Sequence, residues 1–220
     1  MPVARSCLKF AGALGEVHLI RLVSTMVILG CALVAEARSA DVFTNFTADG
    51  GCVVTFYGEI ETTDAAMFDA LTPDCNGGGV LLKSDGGAVM AGLRIGELIR
   101  EKGLETAVSW DARCASACAL AWLGGTRRQM FATSLVGFHA AYVVKGTSAV
   151  ESGFGNALVG AYLARLGLPT SAIIFMTSAE PTSMNWLDYR EASSLGIDLS
   201  LLTAKDMDWI NAIDTGRPHQ

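Results

Sequence analysis

The sequence predicts an α/β fold built on a mainly parallel sheet. Strand-like and helix-like segments alternate through residues 52–166, the pattern left by strands joined through right-handed crossovers. The chain of 220 residues is 51% hydrophobic and 17% charged, which suits one domain with a real core and argues against disorder. A strand also runs into a glycine pair and then a helix at Ser84-Asp85-Gly86-Gly87, a junction typical of ligand-facing turns in such sheets.

Cys52-Val-Val-Thr-Phe-Tyr57 is β-branched and aromatic and predicts the first strand. Thr62-Thr63-Asp64 can cap a short helix ending near Leu71, and the glycines at 77–79 turn the chain into a second strand over residues 79–83. Residues 88–102 form the clearest helix. Ala88, Ala91, Ile95, Leu98 and Ile99 share one face, Arg94, Glu97, Arg100 and Glu101 lie opposite, and Gly103 stops it. A third strand is expected over 104–110, an apolar helix over 115–123, and two strand-like segments over 127–139 around Thr133-Ser134. Residues 151–166 predict a helix with Ala157, Leu158, Ala161, Tyr162 and Ala164 toward the core, ended by Gly167 and Pro169. Short helices over 170–178 and 188–194 and a last strand over 197–201 complete the reading.

The N-terminus differs from this pattern. Arg5, Lys9 and Arg21 precede an uncharged stretch over residues 22–35, too short for a typical membrane span but suited to the apolar region of a signal peptide, and Ala35-Glu36-Ala37 offers a cleavage site. Residues 1–37 are thus expected to be a signal peptide. The alternatives are a membrane anchor over residues 18–37 and a lipid-modified Cys31 in Ile28-Leu29-Gly30-Cys31. A flexible stretch over 38–50, one domain over 51–212 and a frayed tail over 213–220 follow. The expected location is periplasmic, either free or attached to the membrane facing that compartment.

Without residues 1–37 the net charge moves from -6 to -7, and no run of five basic residues occurs anywhere, so a nucleic-acid partner is disfavoured. Of the six cysteines, Cys52, Cys75, Cys114 and Cys118 remain, an even number in an oxidising compartment, with three connectivities open. Cys52 and Cys75 flank the first helix and could pair across adjacent strands. A Cys114–Cys118 bridge would need a break in regular helix. No C-x-x-C pair is present, so neither a metal site nor a cofactor is expected. Gly153-Phe-Gly155 lacks the spacing of a dinucleotide turn and is expected to sit away from any strand-to-helix junction.

Three loops at strand ends could carry chemistry. The glycine turn offers backbone N–H groups. Ser116, where the third strand turns into a helix, is either a plain helix cap or a nucleophile with the Ala117 N–H aimed at an oxyanion. His139 ends a strand and can serve as a general base or as a buried structural histidine. In this order they form an oxyanion donor, a nucleophile and a base.

The segments Leu82-Lys-Ser-Asp-Gly-Gly-Ala-Val89, Cys114-Ala-Ser-Ala-Cys118, Gly137-Phe-His139 and Trp186-Leu-Asp-Tyr-Arg-Glu-Ala-Ser-Ser-Leu-Gly-Ile-Asp198 resemble the proteolytic subunit of Clp protease within the Clp/crotonase superfamily, especially its exported bacterial relatives. The resemblance implies a Clp/crotonase-like spiral of ββα units and a serine peptidase or hydrolase in which Ser116 attacks, His139 shuttles the proton and the Gly87 and Ala117 N–H groups hold the oxyanion. It further implies a peptide or protein substrate and a homo-oligomer. An ATPase partner is not implied for an exported chain. The family's third triad residue has no Asp here. Glu180 stands nearest, Asp188 is the alternative, and a pair oriented by a backbone carbonyl is a further arrangement. Asp85 replaces the family's usual proline and sets a carboxylate beside the oxyanion donors. Cys114 or Cys118 as nucleophile is a rival to Ser116. A non-catalytic envelope protein that keeps the fold is the second reading, and a crotonase-like acyl-CoA enzyme the third, disfavoured by export.

Overall fold

In the computed structural model, which describes residues 40–46 and 51–203, β2 (Cys52–Tyr57) lies fully within the protein except at its last residue. The signal-peptide or anchor reading of residues 1–37 and the tail at 213–220 lie outside the described residues. Part of the stretch expected to be flexible, residues 38–50, is instead strand β1 (Asp41–Phe46), paired antiparallel to β2 along six residues. Its sequence, half polar and half apolar, is that of an edge strand with one side in solvent.

β3 (Gly78–Lys83), β4 (Glu105–Val108), β6 (Arg128–Phe131) and β11 (Ser200–Leu202) extend the sheet in parallel, in the order β1-β2-β3-β4-β6-β11. One face carries Val54, Phe56, Val80, Leu82 and Val108 into the main core, and the alternate residues Leu81, Ala107, Phe131 and Leu202 form a smaller cluster. A second sheet, ordered β10-β7-β5, joins β5 (Arg113–Ala115) in parallel to β7 (Leu135–Phe138), with β10 (Asn185–Leu187) antiparallel on β7. β8 (Tyr142–Lys145) and β9 (Ser148–Glu151) make a separate hairpin.

Helix α1 (Asp64–Leu71) follows β2, α2 (Val89–Glu101) follows β3, and α3 (Ala117–Leu123) follows β5. The apolar face expected of α2 is the observed one: Ala91, Ile95, Leu98 and Ile99 are buried. Gly92 and Gly96 bring α2 backbone-close to α3, since a Cβ on Gly92 would stand 2.4 Å from the Ala117 carbonyl oxygen and one on Gly96 would stand 3.0 Å from that of Leu120. α3 is buried along its whole length, as its uncharged sequence requires.

α4 (Gly153–Arg165), α5 (Thr170–Thr177) and α6 (Tyr189–Ser194) complete the fold. The core face of α4 is Gly155, Val159, Tyr162 and Leu163, whereas Ala157, Ala161 and Ala164 are exposed. Gly153 does follow a strand, β9, contrary to expectation, and the Ser152 hydroxyl caps α4 by accepting from the Gly155 N–H at 3.0 Å. The expected helix start at Ala115 is also displaced, because residues 113–115 belong to β5.

Both disulfides form, Cys52–Cys75 and Cys114–Cys118. The second joins a strand to the first turn of a helix, not two helical turns, with Cα atoms 5.1 Å apart. Among the described residues no helix is long and apolar enough to cross a membrane.

Candidate active site

The glycine turn is fixed from two sides, by β5 and by Ile60. Ser84 N–H donates to Arg113 C=O at 3.1 Å and Ala115 N–H to Ser84 C=O at 3.0 Å, which ties the end of β3 to β5. Ile60 N–H donates to Gly86 C=O and Ala88 N–H to Ile60 C=O, both at 2.7 Å. Gly86 and Gly87 have φ of +104° and +137°, a region that penalises any side chain. A Cβ on Gly87 would also stand 2.2 Å from the Ile60 oxygen.

Asp85 does not present a free charge to this turn. Arg113 Nε and Nη2 grip its two carboxylate oxygens, the Nη2–Oδ2 arm at 2.9 Å. The Arg113 hydrogen bonds hold the Asp85 carboxyl below the usual carboxylate range, against a smaller opposing effect of desolvation. The pair is solvent-exposed, so its weight is local, neutralising the charge next to Gly86, and its share of global stability is small.

Ser116 sits between β5 and α3 with φ +55° and ψ -121°. A non-glycine residue in this region is strained, by about 1–3 kcal/mol, and persists only where its surroundings dictate it. Here they do. Ser116 N–H donates to Gly137 C=O at 2.8 Å, Leu120 N–H donates back to Ser116 C=O at 3.2 Å, and the Cys114–Cys118 bridge spans the bend. The Ser116 hydroxyl makes no cap hydrogen bond, so the plain-cap alternative does not describe it. Ala117 is the first residue of α3, and a helix's first N–H groups have no partner within the helix.

His139 follows β7 and is half-buried. Its Nδ1 lies 2.8 Å from the Ala140 carbonyl oxygen, and its ring centroid 5.6 Å from that of Tyr142. A carbonyl oxygen only accepts, so Nδ1 carries a hydrogen, and in the neutral imidazole Nε2 then holds the lone pair that a general base needs. The Ala140 N–H donates to Ala179 C=O at 2.8 Å, anchoring this segment to the end of α5.

Neither expected carboxylate orients this imidazole. Asp188 is the N-cap of α6, its Oδ1 accepting from Glu191 N–H at 2.8 Å. Glu180 is exposed, and its carbonyl accepts from Ser183 N–H at 2.9 Å. The remaining alternative, a backbone carbonyl, matches the contact to Ala140, although which carbonyl it is leaves no residue-type signature. Cys114 and Cys118 are joined to each other and are not free thiols, which removes them as nucleophiles in this state.

Ser116, His139, Gly86, Gly87, Lys83 and Arg113 line one open cleft of about 840 Å³. Ser116, His139 and Gly87 also border a second, smaller cavity. The residues expected to carry chemistry therefore converge, while Ser116 and His139 make no direct hydrogen bond to one another. Arg113 and Tyr142 were not singled out from the sequence. Arg113 stands next to Cys114 in the motif, but its partner lies 28 residues away.

No protein-family model and no curated protein matches the chain. Solved structures do. A serine-to-alanine mutant of the 1510-N membrane-bound stomatin-specific protease is similar with a TM-score of 0.54 and 17% identity over 70% of this chain and 80% of that one. A lysine-to-alanine mutant of the same protease in complex with a substrate peptide gives 0.53 and 18% over 70% and 75%. Likeness at this identity shows a shared fold, mixed α/β with a mostly parallel sheet.

Proposed function

We propose that the chain is a serine hydrolase, a peptidase by preference, working with Ser116 and His139. The observation that carries this is the Ser116 backbone: a strained, non-capping serine held at the head of a buried helix, in a cleft shared with a histidine whose Nδ1 is already committed. Ser116 Oγ attacks the substrate carbonyl and gives its proton to His139 Nε2. The Gly87 and Ala117 N–H groups receive the negative charge of the tetrahedral intermediate, a contribution of roughly 10²–10³ in rate per donor. The C–N bond then breaks, the leaving amine takes the proton from His139, and water releases the acyl group by the same steps in reverse. The Ala140 carbonyl takes the orienting place expected of Glu180 or Asp188.

The fold supports the spiral of ββα units. After β2 and β3 the chain makes single parallel bridges, Ile60 to Gly87 and Ser84 to Cys114, before entering α1 and α2, and β4-β5-α3 repeats the sequence with a full strand. The neighbour's substrate peptide supports a peptide as substrate class. Two disulfides support export to an oxidising compartment, with residues 1–37 as the targeting segment. The exposed Tyr142, Val143, Val144 and Val150 on the β8–β9 hairpin support association of like copies.

The test is labelling of the purified, folded protein by a fluorophosphonate. Labelling that is lost in Ser116→Ala supports the reading, and no labelling overturns it. The lack of a direct Ser116–His139 hydrogen bond favours one rival, a non-catalytic envelope protein with this fold, and that rival predicts no labelling.

A further inference from the structure

A groove of about 280 Å³ adjoins Ser116, Gly87 and His139. Leu120, Phe138, Val159 and Met176, none more than 6% exposed, give it an apolar wall. Glu59 and Glu61 are its acidic members, and no Lys or Arg lines it. Their placement follows from Ile60, which sits opposite Gly87 by donating its N–H to the Gly86 carbonyl and accepting from the Ala88 N–H, and is itself 1% exposed. Residues alternate along an extended chain, so the two glutamates that flank Ile60 point away from the core it enters. Glu59 is exposed, Glu61 is half-buried, and neither has an ion-pair partner among the described residues. Glu59 also borders the larger cleft, where Asp85, unlike either glutamate, is neutralised by Arg113.

We propose that this groove receives the substrate side chain on the acyl side of the cut bond and that it takes lysine or arginine. The inference rests on the serine-hydrolase reading and adds its substrate class. Such a side chain lays an aliphatic stem along Leu120, Val159 and Met176 and carries its cation to Glu59 and Glu61. A leucine side chain fills the apolar wall but leaves both carboxylates without a counter-charge, and a glutamate is repelled by them.

The test uses peptidyl diphenyl phosphonates that differ only in the side chain next to the phosphorus: lysine, leucine or glutamate. Ser116 Oγ forms a bond to phosphorus, the P–O bond to one phenyl group breaks, and phenol leaves with the serine proton, so the labelling rate reads recognition directly by mass spectrometry. The expected order is lysine, then leucine, then glutamate. Glu59→Gln combined with Glu61→Gln should shrink the lysine-to-leucine ratio by about fivefold or more, the size of part-exposed charge pairs, and added salt should shrink it in the wild type. Leucine equal to or ahead of lysine, or an unchanged ratio in the double variant, overturns the proposal. If a small fluorophosphonate labels Ser116 while the peptidyl series shows no side-chain preference, this inference alone fails. If no phosphonate of either kind labels Ser116, the hydrolase reading fails and takes this one with it.

Discussion

Gly86 lies directly against Ser116: a Cβ on Gly86 would stand 2.6 Å from the Ser116 Cβ and 2.7 Å from the Ala115 oxygen. The glycine turn and the serine bend are thus shaped against each other, and neither can shift alone. Gly86→Ala combines this clash with the penalty of a side chain at φ +104°. It should lower the unfolding free energy by about 1–3 kcal/mol and slow fluorophosphonate labelling. Urea denaturation and labelling rates measure both, and a variant that matches the wild type in both contradicts the geometry.

Arg113→Gln leaves the Asp85 carboxylate without its counter-charge beside the proposed oxyanion donors and should slow labelling, whereas adding Asp85→Asn should restore the rate. The same ion pair sets a pH window. The Asp85 carboxyl is held below its ordinary range by the Arg113 hydrogen bonds. Its contribution to stability is therefore complete above the unfolded carboxylate pKa of about 3.9 and is lost as pH falls through the lowered folded value. NMR titration of Asp85 should show it protonating at higher pH in Arg113→Gln than in the wild type; identical titration curves would remove the pair from the account.

Ser116→Gly and Ser116→Ala should both abolish labelling but differ in stability. Glycine adopts φ +55° without the penalty that alanine keeps, so the glycine variant should be more stable than the alanine variant by about 1 kcal/mol. Equal unfolding midpoints would mean that the bend is not strained.

The two disulfides should separate stability from activity. Cys52–Cys75 closes 23 residues and Cys114–Cys118 only four, which on a chain-entropy account are worth about 3 and about 2 kcal/mol. Replacing Cys52 and Cys75 by alanine should cost more stability. Replacing Cys114 and Cys118 should cost less stability yet slow labelling more, because that bridge holds the bend at Ser116. Denaturation curves beside labelling rates decide it, and equal labelling rates for the two double variants would refute a positioning role.

The large sheet and its helices were legible because their signals are local. The apolar face of α2 and the β-branched run of β2 each fall where periodicity and residue type put them. Apart from the β8–β9 hairpin, which pairs locally, the elements that were missed depend on partners distant in sequence. β1 is polar enough to pass for a loop and becomes a strand through β2; β5 and β10 are three residues each and exist by pairing with β7. In α4 small alanines suggested a buried face, but Tyr162 and Leu163 decide it, the Tyr162 hydroxyl reaching the Leu120 carbonyl at 3.0 Å. At the site, Ser116 and His139 stood out by residue type and order. The groups that hold them, the Gly137 and Ala140 carbonyls, did not, since main-chain atoms are common to every sequence.

The position of β7 in its sheet governs when Ser116 and His139 can first be held in one cleft during synthesis. β7 carries the Gly137 carbonyl that holds Ser116 and leads into His139, yet it is flanked by β10, and the Ala140 N–H is taken up by Ala179. A nascent chain ended just past residue 140 would contain Ser116 and His139 without the segments that anchor one of them. Completion must wait until residues 179–187 have emerged. On the proposed hydrolase reading, a chain assembled in this order stays inert until the segments that anchor the His139 region have followed it, including during any passage across a membrane as an extended chain.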